Sequence, residues 1–391
     1  MWEVFFVKIY GFWRISPSQD PSGANRNAIP KNDRLSVKCM AMDFATSDLP
    51  LSTPMDVRLD ITKLADAAFP LRWGIIGASS ISAQWVMCLR ECEGATVTAV
   101  AARSADRAKE FAAKYGITSS YGSYAEMVAA PDVDIVYVGT ITRLHKEHSL
   151  LAIEAGKHVL CEKPLAENAS DARAMYTASV AKDVMLQDGM WTRFFPAVEH
   201  ARVAIEAGTI GEVVMTQSDF FDPIYAIQAA PLAFGAQAVP TAITAAGRKA
   251  SGAIVEYGDE KCAVLTFPPS NCELAEVTEL IGTKGRITLE QPGHCPTRIT
   301  IRVPPPNGVP SRYRTANAPA PVQLFEYPLP GAVSIPRGSP NQHGFLYQAE
   351  AVHRCLAAGL RECPQYNQEE SLHAMDLLTE INKAKQVETQ S

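Results

Sequence analysis

The sequence predicts an α/β protein: a doubly wound parallel sheet first, then an α+β half built on an open, mostly antiparallel sheet. Three observations carry this. From Leu71 to Leu186, short apolar runs alternate with amphipathic stretches of helical length, the rhythm of βαβ units. The runs are continuously apolar, as strands covered on both faces require. After about Trp191 the rhythm becomes strand-heavy, with turn residues between closely spaced runs.

Leu71–Ile76 is the first predicted strand and ends at Gly77. Thr96–Ala101, Ile135–Val138, His158–Cys161 and Val184–Leu186 are the others of this half, most of them rich in β-branched residues. Between them lie predicted helices over Ile81–Arg90, Ala105–Tyr115, Lys146–Ala155 and Asn168–Ala181. In the second half the strand candidates are Gly211–Phe221, Gly252–Tyr257, Cys262–Phe267, Ala275–Ile281, Gly285–Leu289 and Arg298–Val303. Tyr257–Lys261 and Gly282–Gly285 read as turns. Pro304–Pro340, rich in Pro and Gly, reads as a surface loop, and Gln342–Ala358 and Gln368–Ala384 read as helices. No internal repeat is present. The expected organisation is an arm over 1–70, a nucleotide-binding domain over 71–190 and a substrate and dimerisation domain over 191–391.

The chain has 391 residues, 47% apolar and 20% charged, an ordinary globular composition of about two domains' length. A net charge of -6 argues against a nucleic-acid partner, which needs a basic surface. Nine scattered Cys with no CxxC pair predict a reduced, cytoplasmic protein without structural zinc. No apolar run is long enough to span a bilayer. Met1–Ser16 is aromatic-rich but interrupted by Lys8, a weak secretory signal. Asp20–Pro54 reads as a linker or disordered arm. Its basic residues leave organelle targeting as an alternative to a simple extension.

The turn after the first strand carries a degenerate dinucleotide fingerprint. Gly77 is the first glycine, while Ser79 and Ser82 replace the second and third. Both replacements are small, and the helix that follows still offers free N–H groups to a phosphate. Gly77, Ser79 and Ile81 would frame a pyrophosphate. The competing reading is a tight strand–helix turn that binds nothing. At the end of the second strand stand Arg103, Ser104 and Arg107, where an NAD site keeps an acid for the ribose. Arginine forks suit a 2′-phosphate, so the sequence favours NADP (NADPH) over NAD. A solvated basic helix start is the plain alternative.

The run Gly156-Lys-His-Val-Leu-Cys-Glu162-Lys163-Pro164-Leu165 is the strongest motif. Together with the Gly77 turn and Trp191-Thr-Arg-Phe-Phe-Pro196, it resembles the Gfo/Idh/MocA oxidoreductases, over roughly Leu71 to Ile381. The resemblance implies a Rossmann-type domain and hydride transfer between NADP and a small polyol, either an aldose at C1 or a cyclic trans-diol. It makes Lys163 the catalytic lysine and places Glu162 beside it in the cofactor-binding set, with Pro164 fixing the turn, through a cis bond on one reading. Independently, oxidising a hydroxyl means removing its proton as hydride leaves carbon, and a lysine with a lowered pKa can take that proton.

By the same resemblance Thr140 and His145 would contact cofactor or substrate. Trp191, Arg193 and Phe194 would stand at the substrate mouth, and Tyr225 would be the acid. Against these stand a helix-capping role for His145 and a plain core role for the aromatic run. The family's pairing of subunits through the open sheet implies a homodimer. The chain departs from the pattern before Tyr225: Asp222 lies three positions ahead instead of four, no glycine intervenes, and the connection is shortened. That break leaves a catalytically silent NADP-binding module as the alternative function.

Overall fold

A computed structural model of the chain describes residues 55–258, 260–304, 321–329 and 340–388. The Met1–Ser16 and Asp20–Pro54 expectations, and most of Pro304–Pro340, lie outside them. A short helix, α1 (Met55–Arg58), precedes the first strand.

The first sheet has six parallel strands: β1 (Leu71–Ile76), β2 (Ala95–Ala101), β3 (Ser119–Tyr121), β4 (Ile135–Val138), β5 (His158–Cys161) and β6 (Leu186–Asp188). Their spatial order is β3-β2-β1-β4-β5-β6. The connecting helices are α2 (Ser80–Leu89), α3 (Ala105–Tyr115), α4 (Tyr124–Val128), α5 (His145–Glu154) and α6 (Ala169–Ala181). All four residues of β4 are buried, as expected for a strand covered on both faces. Ser79, Ser104, Ser123 and Asn168 start α2, α3, α4 and α6, each accepting a backbone N–H from the residue three further on. The strand order reverses between β1 and β4, which opens a crevice at the carboxyl ends of these two strands.

The expected strand Val184–Leu186 instead runs Leu186–Asp188. The backbone of Asp183 takes a positive φ of 52°, and Val184 N–H still bonds to Ser179 O at the end of α6. The chain is therefore still turning where the apolar run begins. β3 and α4 had no sequence signal, because Ser119–Tyr121 is not apolar and becomes a strand only by pairing with β2.

Among the described residues the second sheet has eight strands: β7 (Val213–Asp219), β8 (Ala242–Gly247), β9 (Ser251–Glu256), β10 (Cys262–Phe267), β11 (Thr278–Gly282), β12 (Arg286–Leu289), β13 (Arg298–Arg302) and β14 (Val322–Glu326). Its order is β14-β13-β12-β11-β7-β10-β9-β8, antiparallel throughout except for the β7–β10 pair. The helices of this half are α7 (Pro196–Glu206), α8 (Pro223–Ile227), α9 (Ala229–Phe234), α10 (Phe345–Ala357) and α11 (Gln368–Glu388). α8, α9 and α11 pack on the sheet, and α7 packs on β12 and β13. The helix α10 returns to the first half, where Phe345 meets the Trp85 ring of α2 at 5.5 Å. Trp73 Nε1 of β1 donates to His353 Nε2 of α10 at 3.2 Å. No described helix is long and apolar enough to cross a membrane.

Candidate active site

The crevice between β1 and β4 opens a cavity of about 650 Å³. Gly77, Ser79 and Ile81 form one wall, Arg103, Ser104 and Arg107 a second, and Thr140 stands on a third. Gly77 has φ of 100°, and a Cβ there would lie 2.9 Å from Thr140 Cγ2. Only glycine keeps this floor open. Ser79 Oγ donates to Gly139 O at 2.8 Å and accepts Ser82 N–H at 3.2 Å. The replacement for the second glycine therefore ties the β1 and β4 loops together. The first turn of α2 faces the same space with N–H groups that lack helical partners. Arg107 Nη2 donates to Ala78 O at 3.1 Å, which holds its guanidinium at the rim. A cleared floor, a helix start and two arginines suit a phosphate-bearing dinucleotide.

Lys163 stands one strand over, at the end of β5, in a turn with a cis Lys163–Pro164 bond. Its Nζ lies 2.8 Å from Asp222 Oδ2 and 4.4 Å from the centre of the Tyr225 ring. Tyr225 Oη accepts Trp191 Nε1–H at 2.8 Å. Tyr225 is delivered from the other half of the chain. β7 ends at Asp219, and only Phe220–Asp222 separate it from α8, which starts at Pro223. The shortened connection thus brings both Asp222 and Tyr225 to the lysine, one helical turn apart and on one face.

The electrostatics differ from the lowered lysine pKa expected from the sequence. Burial pulls the Lys163 ammonium down, but the Asp222 and Glu162 carboxylates, joined by the Tyr225 oxygen only once it ionises, outweigh it and hold it above its ordinary value. The Tyr225 hydroxyl is pushed up to about 12, chiefly by burial. Glu162 is also raised by burial, although the Lys163 charge opposes this. Lys163 is therefore a fixed cation beside a neutral phenol.

The remaining expected residues divide by place. Glu162 and His145 are not among the cavity walls. Glu162 Oε1 accepts Tyr137 Oη–H at 2.6 Å, and its Oε2 accepts the Lys163 backbone N–H at 3.2 Å. His145 is the first residue of α5. Its Nδ1 lies 2.9 Å from Pro164 O and its Nε2 3.1 Å from Thr140 O. The imidazole thus straps the cavity wall to the lysine turn.

Trp191 belongs to the lysine cluster. Arg193 does not: its guanidinium is 1% exposed and pairs with Glu370 at 2.6 Å, over the Tyr366 ring at 5.1 Å. Phe194 is core. The Trp-Thr-Arg-Phe run forms a 3-10 turn, so its neighbours point different ways.

Two residues had no sequence signal. His294, between β12 and β13, packs its ring 5.4 Å from that of Tyr225. Asp188, at the end of β6, is buried, accepts Ser371 Oγ–H at 2.7 Å and is pushed up to about 7 by burial. Both reach the site through tertiary packing, which no local pattern encodes.

Residues 71–190 match the model of the GFO_IDH_MocA oxidoreductase family, described as having an NAD-binding Rossmann fold. The chain is 32% identical over 347 residues to the trans-1,2-dihydrobenzene-1,2-diol dehydrogenase of Sus scrofa, covering 80% of this chain and 96% of that protein. The enzyme of the same name from Homo sapiens is 31% identical over 348 residues, with the same coverage. Among solved structures, a 3-ketoreductase from Actinomadura kijaniata with NADP and TDP-benzene superposes with a TM-score of 0.64 at 21% identity, over 81% of this chain and 98% of that one. A levoglucosan dehydrogenase with NADH and levoglucosan gives 0.66 at 18% identity, over 82% and 98%. These two structures share the fold.

Proposed function

The chain belongs to the Gfo/Idh/MocA oxidoreductase family, and on that footing we propose that it is an NADP-dependent dehydrogenase of a small polyol, either a cyclic trans-diol or an aldose at C1. The observation that carries this reading is the cluster in which Lys163 meets both Asp222 at 2.8 Å and the Tyr225 ring at 4.4 Å. The dihydrodiol dehydrogenases, which align over nearly their whole length, favour the diol as first substrate to test.

The nicotinamide, when bound, supplies the two-electron hydride carrier. The chain's own residues handle the proton. Tyr225 Oη already accepts the Trp191 indole N–H, so its single O–H remains to hydrogen-bond a substrate oxygen. The Lys163 ammonium beside it stabilises negative charge on that oxygen. In the oxidation direction the substrate proton leaves toward the Asp222 carboxylate, which bonds Lys163 and is partly open to solvent. In reduction the same path runs backwards: the protonated Asp222 carboxyl returns the proton, while the Tyr225 O–H keeps its hydrogen bond to the forming alkoxide. His145 keeps the lysine turn in register with the cavity wall through its two carbonyl contacts.

Support for NADP comes from Arg103, Ser104 and Arg107 on the cavity wall, where a 2′-phosphate meets two guanidinium groups and no acid. We also read the chain as a homodimer paired through the open face of the eight-stranded sheet, where Ile254 is exposed beside Val264. Turnover by the purified chain with NADP, and with NAD as the comparison, tests the function; the oligomeric mass in solution tests the pairing. A chain that binds NADPH and turns over neither diol nor aldose contradicts the proposal.

A further inference from the structure

This inference rests on the dehydrogenase reading of the Lys163 cluster and adds a residue to it. The Tyr225 ring is held from several sides. Lys163 Nζ sits over its face at 4.4 Å, Trp191 Nε1 holds its oxygen at 2.8 Å, and Phe220 meets it edge-on at 4.8 Å. His294 closes the remaining contact at 5.4 Å and 70°.

His294 also meets Phe220 at 4.6 Å and Trp191 at 6.0 Å, so one imidazole touches all three aromatic members of the cluster. Its backbone carbonyl accepts the hydroxyl of Thr192, next to Trp191. Its Nδ1 lies 3.0 Å from Glu276 Oε2, and Glu276 is anchored in turn, because Asp219 takes the N–H groups of Glu276 and Val277 at 3.0 and 3.1 Å. We infer that His294, oriented by Glu276, is a positioning residue that sets the Tyr225 ring and keeps its hydroxyl on Trp191.

The ring does this as a neutral imidazole. Nδ1–H donates to Glu276, and Nε2 faces the Cys295 thiol at 3.4 Å. Burial, followed by the Lys163 charge, holds its pKa down to about 4. The titratable groups around it are Glu276 and, behind that, Asp219; Cys295; and Tyr225, with Lys163 and its partner Asp222 on the far side. A proton on Nε2 sets an imidazolium against the Lys163 ammonium across one phenol ring, and Tyr225 loosens. His294 is therefore expected to contribute to the acid limb of the kcat profile.

The test uses the full chain labelled with 5-fluorotryptophan, the Trp191 fluorine signal being assigned by Trp191→Phe. His294→Gln is expected to shift that signal and lower kcat by about a hundredfold, while the KM for NADP stays within about twofold. The double variant His294→Phe with Glu276→Gln restores a ring without stranding a carboxylate. It is expected to recover the wild-type signal and most of kcat, and to move the acid limb of the kcat profile. An unchanged signal and kcat in His294→Gln overturn the inference, as does a double variant no better than the single one. A wild-type chain without turnover contradicts the dehydrogenase reading alone; the fluorine signal then decides the role of His294 by itself.

Discussion

Lys163 and Asp222 lie fifty-nine positions apart in the chain, yet their side chains form a 2.8 Å ion pair at the meeting of the two sheets. The lysine comes from the end of β5 and the aspartate from the three-residue connection between β7 and α8. Because the carboxylate, with that of Glu162, holds Lys163 charged, the lysine acts as a fixed cation rather than as a free base.

Lys163→Met is therefore expected to remove turnover, with kcat/KM falling by at least about a thousandfold, while NADPH still binds. The cavity walls do not include Lys163, so NADPH titration by fluorescence should give a dissociation constant within about threefold of wild type. Retained turnover removes Lys163 from the mechanism.

Tyr225→Phe keeps the ring beneath the ammonium and removes only the oxygen that Trp191 holds. The expected loss in kcat is about a hundred- to a thousandfold, the range for one positioned donor to a developing oxyanion. Steady-state kinetics with the diol read it directly, and a change below about threefold removes Tyr225 from the stabilisation of the substrate oxygen.

Arg103→Ala with Arg107→Ala should lower the preference for NADP over NAD by at least about tenfold, since each guanidinium contributes a charge-assisted bond to a phosphate. The ratio of kcat/KM for the two cofactors measures it. An unchanged ratio removes the 2′-phosphate role.

Arg193 separates a core role from a substrate role. Arg193→Met leaves Glu370 facing an apolar partner in a largely buried site, which should cost about 3–5 kcal/mol of stability. Urea unfolding measures that loss. The KM for the diol should stay within about twofold of wild type; a large KM rise with unchanged stability returns Arg193 to the substrate mouth.

Stability should depend on pH in both directions. His353 accepts Trp73 Nε1–H, and its Nδ1 lies 2.9 Å from Phe69 O. Burial lowers it to about 4. A lowered histidine contributes stability that is complete above its ordinary pKa of about 6.5 and is lost as pH falls through 4, up to about 3 kcal/mol. Asp188 runs the other way: raised to about 7 by burial, it favours the fold at low pH and loses that contribution as pH rises through 7. His200 and His294, which burial also holds down to about 4, act in the same direction as His353, so three histidines outweigh Asp188 below about pH 6.5 and the melting temperature is expected to peak near pH 6.5. His353→Gln should flatten the acid side; an acid side as steep as wild type removes His353 as its cause.

Much of this was legible in the sequence where the signal is local. The short, mostly apolar runs located β1, β4 and β5 to the residue: of their fourteen residues only Arg72 and His158 are not buried. The fingerprint, although two of its glycines are serines, and the arginines after β2 marked the cavity: Gly77, Ser79, Ile81, Arg103, Ser104 and Arg107 all stand on its walls, as does Thr140, which the family resemblance implied. The Glu-Lys-Pro run located Lys163.

The failures have physical causes as well. β8 (AITAAG) has a single bulky apolar residue, Ile243, and is held as a strand by its pairing with β9. Trp191 and Arg193 are two residues apart, and a 3-10 turn sends one to Tyr225 and the other to Glu370, a divergence that spacing does not reveal. His294 reaches Tyr225 from a loop sixty-nine positions away. The shortened segment before Tyr225 looked disruptive as a string of residues, but β7 runs far enough that three residues suffice to start α8 in place.

The most direct measurement is NADPH formation from NADP by the full chain, with a cyclic trans-diol and D-xylose offered separately, beside Lys163→Met. The geometry predicts turnover of at least one substrate by the wild type and none by the variant. Binding of NADPH by both proteins with turnover by neither contradicts the claim that Lys163, Asp222 and Tyr225 form a working proton-transfer site.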